Sequence, residues 1–270
     1  MYRLKFSILN LLLLFFAFRY TNAQEKVVFP HTAFWTKFEI AQLTDNRWGY
    51  GLDVIYRSNN RFNQGSIFES WHRFSYRPWV HYQPNSNVRF SVSPLAYFDT
   101  QEYFGKQEDF DRFPYKELRT TFQVVHHHKN LGEKITHTFR HWYEIRYRNP
   151  FDEDAAFTFT RYRIRYRIRY LINKDYYSQK GVWYTYASNE VMVNYGQKVV
   201  YNMFSQNRVQ LAVGYRILPA VRLEVRYMNR FRSRPSGFEY DNTQAIFFGV
   251  WVDQLSNLFG RDVRPVKFFD

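Results

Sequence analysis

The 270-residue chain has no cysteine. Disulfides and a lipid-bearing cysteine at a cleavage site are therefore excluded, and an exported chain of this kind depends on burial or on a bilayer for its stability. Beyond the first two dozen residues there is also no long apolar run, so no later segment reads as a membrane helix. Acids are scarce relative to bases. Asp and Glu number 24 against 38 Lys and Arg, for a formal net charge of +14. No nucleophile elbow or other local chemical signature occurs among the Ser, His, Asp and Asn residues. No linker or composition shift divides the chain, and no solenoid-length repeat is visible.

What is there begins at the N-terminus. Arg3 and Lys5 form a basic start, and Phe6 to Phe18 is apolar apart from Ser7 and Asn10. Thr21-Asn22-Ala23 then precedes Gln24 with small residues at the cleavage positions. This pattern predicts a cleaved secretory signal over residues 1–23. The run is shorter than the ~20 apolar residues of a spanning helix, which argues against an anchor. Residues 24–270 read as one domain. A sequence pI near 9.8 would point to nucleic acid in a cytosolic protein. Export turns that expectation towards lipid phosphates, anionic sugars or anionic solutes.

The stretch RYRIRYRIRY, residues 161–170, sets the structural reading. On a helix its arginines would spread round the whole circumference. On a strand Arg161, Arg163, Arg165, Arg167 and Arg169 share one face, and Tyr162, Ile164, Tyr166, Ile168 and Tyr170 share the other. The same alternation recurs in RWGYGLDVIYR (47–57), RVQLAVGYRI (208–217) and VRLEVRY (221–227). It predicts strands over 33–44, 47–57, 66–82, 87–98, 115–129, 133–148, 157–172, 182–194, 205–218, 221–232 and 242–252. Most are longer than the five or six residues usual for soluble strands. They suit the roughly 9–11 residues needed to cross a bilayer at a tilt.

Aromatic residues make up 21% of the chain, more than a water-soluble core ordinarily needs and in keeping with the aromatic girdles of membrane barrels. A negative mean hydropathy does not oppose this, because alternating strands average out. Short connections at 45–46, 84–87, 130–132 and 219–220 broadly alternate with longer ones near 58–65, 99–114, 149–156, 195–204 and 233–241. The 173–181 link departs from that alternation. Short periplasmic turns and longer extracellular loops are the outer-membrane arrangement. Closed bacterial barrels generally have an even strand count, so a further short strand is expected within 25–32, despite Pro30. The fold class is thus all-β, a single antiparallel transmembrane barrel of about twelve strands, with ten to fourteen admissible.

An outward arginine costs about 2–4 kcal/mol at mid-bilayer, so the arginine face must turn to the lumen. The expected lumen residues are Arg161, Arg163, Arg165, Arg167, Arg169, Glu117, Arg119, Arg140, Glu144, Arg146, Glu190, Arg208, Arg216, Arg222, Glu224 and Arg226. Glu117 with Arg119, Glu144 with Arg146 and Glu224 with Arg226 stand two apart and can neutralise each other. A structural reading, in which Arg–Glu ladders fill a narrow barrel, competes with an anion-selective passage. His126, His127, His128, His137 and His141 invite a metal reading, with His137 brought near His126 by a turn at 130–132, but no acid or thiol ligand is fixed beside them. No metal, cofactor or catalytic residue is assigned.

The order KELRTTFQ (116–123), FRHWYEIRYR (139–148), FTRYRIRYRIRY (159–170), FSQNRVQLAVGYRI (204–217) and RLEVRYMNRF (222–231) resembles domain-of-unknown-function family 2490 over most of residues 34–232. Its most specific pieces are the two Glu-x-Arg pairs, Glu117/Arg119 and Glu144/Arg146, and the strand from Phe204 to Arg208 that ends in Gly214-Tyr215. Ser205 and Val225-Arg226 depart from the pattern. The resemblance implies an exported outer-membrane β-barrel of a Gram-negative bacterium and supplies no activity.

The reading is an outer-membrane barrel with an arginine-rich lumen, either structural or a passive channel for small anionic solutes. Its expected partners are outer-membrane lipid and lipopolysaccharide, with the barrel-assembly machinery during insertion. A membrane-embedded lipid-active enzyme, with a Ser/His site assembled from separate strands, and a periplasmic barrel binding an anionic ligand stand as alternatives.

Overall fold

The structure, a computed structural model, describes residues 25–259 apart from 45, 62–64, 112, 153 and 197. The expected signal over 1–23 lies outside the described residues. Alternating sequence becomes eleven strands: β1 Val27–Leu43, β2 Trp48–Asn59, β3 Ser70–Asn85, β4 Val88–Thr100, β5 Tyr115–Asn130, β6 Ile135–Arg148, β7 Phe157–Leu171, β8 Trp183–Tyr195, β9 Phe204–Leu218, β10 Val221–Ser233 and β11 Glu239–Val252. Among the described residues the only helical pieces are short 3-10 turns at Gln107–Asp111 and Leu255–Phe259.

Each strand pairs with its sequence neighbour, and β1 pairs with β11 to close the barrel. Ten pairings are antiparallel hairpin neighbours. Hairpins reverse direction at each step, so with an odd number the first and last strands run the same way. The seam is accordingly parallel, from Val27 opposite Glu239 to Ile40 opposite Val252. Eleven lies within the expected range, but the sheet is not wholly antiparallel. The twelfth strand expected within 25–32 is instead the first part of β1, which runs unbroken for 17 residues. Pro30 fits there because Thr32, of the same parity, directs its N–H to Asn60 on the β2 side. The missing N–H of Pro30 therefore falls on that edge, beyond the last β2 partner of β1 at Ala33.

Two further prolines mark breaks in the ladder. The β3–β4 register shifts between Tyr76 and Val80, around Pro78, and the β4–β5 register shifts between Ser93 and Ala96, around Pro94. A residue without a donor is tolerated at such irregularities. Gly214 on β9 answers a packing need. A Cβ there would stand 2.1 Å from the ring of Tyr184, its register partner on β8.

One end of the barrel carries the short turns between β1 and β2, β3 and β4, β5 and β6, and β9 and β10. It also carries the longer 172–182 link. The other end carries the connections 60–69, 101–114, 149–156, 196–203 and 234–238. The 234–238 connection is shorter than expected because β11 begins at Glu239. Thus 172–182 is the exception to a short-turn end, and it folds inward.

Candidate functional site

Strand parity places the side chains. On β7, Arg163, Arg165, Arg167 and Arg169 are buried, while Ile164, Tyr166, Ile168 and Tyr170 are 39–44% exposed on the outside. Glu117, Arg119, Glu144, Arg146, Glu190, Arg208, Arg216, Arg222 and Glu224 are also buried. Half-buried Arg140, Arg161 and Arg226 line an interior chamber of about 150 Å³.

Three carboxylates organise one side of the interior. Glu117 accepts from Arg119, and from Arg146 Nε and Nη2 at 2.5 and 2.7 Å. Glu144 accepts from Arg163 at 3.2 Å and lies 3.8 Å from both Arg77 and Arg119. Glu190 accepts from Arg140 and from Arg163 at 3.0 Å, with Arg208 at 3.5 Å. These contacts tie β3, β5, β6, β7, β8 and β9 into one network. The two-residue spacing is used by Glu117/Arg119 and by Glu224/Arg226 at 2.6 Å. Glu144 and Arg146 do not pair. Arg146 reaches across to β5, and Glu144 is taken by neighbouring strands.

The short-turn end is filled by the 172–182 link and by the chain after β11. Tyr177 is buried and accepts a 2.6 Å hydrogen bond from Arg222, and its ring centroid lies 3.6 Å from the Arg169 guanidinium. Burial opposes ionisation of its phenol, but Arg222, Arg169 and Arg216 outweigh that and lower its pKa. Asp253 holds Arg216 at 2.8 Å and Arg222 at 3.3 Å. Gln254 donates to the Leu43 carbonyl at 3.0 Å, tying this end to β1.

The 101–114 connection folds over the opposite mouth. Tyr103 is buried between His31 and His72, with ring centroids 4.8 and 4.0 Å away. Asp109 accepts from Arg234 at 2.9 and 3.1 Å, and Lys106 reaches Glu239 at 2.6 Å. Glu102 meets Arg232 at 3.0 Å. Burial opposes its ionisation too, but Arg232 and Arg148 outweigh it and hold its carboxyl below the ordinary value. Both mouths are therefore occupied by polar latches made from the protein's own connections.

Between the latches, thirteen cationic side chains line the chamber among the described residues, against the three carboxylates Glu39, Asp53 and Glu190. Two of these acids are already engaged by Lys37, which pairs with Glu39 and lies 3.3 Å from Asp53. Arginines lie instead against aromatic faces: Arg57 is 3.7 Å from the Trp35 centroid, Arg119 3.6 Å from Phe98 and Arg163 4.0 Å from Trp142. Such contacts contribute about 0.5–2 kcal/mol each and do not neutralise charge. Arg57, Arg73, Arg89, Arg161, Arg165 and Arg167 have no carboxylate within 4 Å among the described residues.

Arg57, Arg73, Arg77 and Trp35 belong to this chamber but not to the residues singled out in the sequence. Their signal was parity. Arg57 follows outward Tyr56, and Trp35 lies between half-buried Phe34 and Thr36 and shares its parity with buried His31 and Ala33. The histidines do not converge. His127 points inward with Thr138 at 3.1 Å, whereas His137 and His141 face outward with Tyr166 and Tyr162 hydroxyls at 2.7 and 2.6 Å. The β5–β6 turn spans 131–134, so the register sets His128, not His126, opposite His137. Among the described residues no three His, Asp or Glu side chains gather in a way that could hold a metal ion.

The outer surface is apolar. Ile164, Leu211, Val213, Val225 and Ile246 are exposed about its middle. Trp48 packs on Tyr82 and Trp183 on Tyr215 near the short turns, and Tyr76 stacks on Tyr97 towards the other end.

The family model described as "Protein of unknown function (DUF2490)" matches residues 32–242, and the chain belongs to that family. No curated protein matches it.

Proposed function

We propose that this family member is an outer-membrane barrel, exported by the signal at 1–23, whose latched, cation-lined interior admits small anions. The observation that carries the reading is the contrast between the two faces of the same strands. An exposed aliphatic band flanked by Trp and Tyr suits acyl chains and their interfaces. Arginines confined to the interior avoid the cost of meeting lipid. Lipid and lipopolysaccharide would surround the band, and the assembly machinery would insert it. The short turns would face the periplasm.

The mature protein is expected in the outer-membrane fraction, and to require detergent for extraction. Recovery as a detergent-free monomer from the periplasm would overturn the location and favour a soluble anion-binding barrel.

A positive, low-dielectric interior raises local anion concentration and repels cations. With both mouths occupied, resting conductance is expected to be small. Asp109→Ala removes the acceptor that Arg234 holds, and should raise conductance several-fold in planar bilayers. Reversal potential under a salt gradient should then show anion preference. Cation preference refutes the selectivity, and no current in either protein leaves a structural barrel.

A further inference from the structure

The strand register sets arginine directly opposite arginine on the inner face. Arg119 faces Arg146, Arg216 faces Arg222, Arg208 faces Arg230 and Arg57 faces Arg73. Like charges in that position repel. The first two pairs each share a carboxylate, Glu117 and Asp253. In the third, Arg208 has Glu190 at 3.5 Å. The Arg57–Arg73 pair has no carboxylate at all within 4 Å among the described residues.

The surroundings deepen the imbalance. Arg57 is 7% exposed and Arg73 8% exposed. Arg57, Arg208 and Arg230 converge on one ring, with guanidinium carbons 3.7, 5.5 and 5.4 Å from the Trp35 centroid. The charges acting most strongly on Arg57 are those of Arg73, Arg208 and Arg230. Its Nε and Nη1 are buried without a hydrogen-bond partner among the described residues. Arg73 Nε is held by the neutral Thr100 hydroxyl at 2.9 Å. Arg57, Arg73 and Arg208 all border the chamber.

We propose that the chamber binds a small, multiply charged oxyanion of phosphate size between Arg57, Arg73 and Arg208, above Trp35. Guanidinium forks match such oxygens two at a time and remain charged when buried. A chamber of about 150 Å³ has room for a ligand of roughly benzene size, which suits phosphate, sulfate or a small phosphomonoester and excludes an oligosaccharide. The anion would supply the negative charge that the register leaves out. This deepens the proposed function by naming the class of anion, and it rests on the same interior.

The test is equilibrium dialysis of the full-length mature barrel, folded in detergent, with radiolabelled inorganic phosphate. Saturable binding of one phosphate per barrel is expected, and chloride at matched ionic strength should not displace it. Arg57→Gln with Arg73→Gln should weaken binding at least tenfold and abolish the phosphate-dependent rise in melting temperature. Lys134→Gln, outside the chamber, should change neither. Should the double variant not fold, Arg57→Lys retains the charge but loses the planar fork, and should still weaken binding. Competition by glycerol phosphate as strong as by phosphate assigns the site to a phosphorylated solute, and weaker competition assigns it to the free ion. Absence of saturable binding in the wild type, equal displacement by chloride, or full affinity in both arginine variants overturns the proposal. Fractionation separates this from the location: an outer-membrane barrel that binds no phosphate overturns the site alone, and a soluble barrel that binds it overturns the location alone.

Discussion

Glu117→Gln is expected to destabilise the folded barrel by about 3–5 kcal/mol, the usual cost of removing one partner from a buried ion network. Glu117 is fully buried and is the shared acceptor of Arg119 and Arg146, which oppose each other across β5 and β6. Glutamine keeps the shape but leaves two guanidiniums face to face. Glu144 lies 3.8 Å from Arg119 but is shared with Arg163 and Arg77 and does not pair with Arg146, so it offsets the loss only in part. Urea unfolding of the detergent-folded protein, followed by tryptophan fluorescence, measures the loss as a fall in midpoint at unchanged slope. Adding Arg146→Met should recover part of it, because the variant then carries one unbalanced cation fewer. A loss below about 1 kcal/mol would mean that the arginine pair is neutralised by another route.

Ile164→Arg should cost about 2–4 kcal/mol of stability in lipid, while its neighbour Arg165→Ile should be close to neutral or stabilising. The contrast follows from one residue of parity. Ile164 is 42% exposed on the outer face, and Arg165 is 8% exposed within. Arg165 lies opposite Arg140 and has no carboxylate within 4 Å among the described residues, so removing it relieves repulsion. Folding yield and urea midpoint in lipid vesicles measure both. An Ile164→Arg protein as stable as the wild type would place the outer face in water. A destructive Arg165→Ile would show that its charge is needed inside.

Both effects bear on how an arginine-rich interior can be stable. Buried ion pairs often gain little over apolar packing, because desolvation offsets their attraction. This interior offsets desolvation by sharing Glu117, Glu144 and Glu190 among several arginines and by laying guanidiniums on Trp35, Phe98 and Trp142. Where no acid reaches, at Arg57 and Arg73, charge is left over even though Arg57 lies on Trp35. The same unevenness motivates the oxyanion site.

The sequence by itself determined the eleven long strands and the face on which each side chain lies. Period two is a local property: residues i and i+2 share a face whatever the strand pairs with. That is why the arginines of 161–170 could be set inward, and why Glu117, Glu190 and Arg208 could be placed beside them. Only the tertiary structure decided what these groups meet. The partners of Glu144 and Arg146 depend on the register between strands, which hairpin turns and closure set together. The parallel seam, the absorption of 25–32 into β1, and Tyr177 and Tyr103 closing opposite mouths come from completing the barrel. They bring together residues more than two hundred positions apart, such as His31 and Asp241 at 3.1 Å. No pattern within one strand encodes such contacts, because their geometry exists only once all eleven strands have closed.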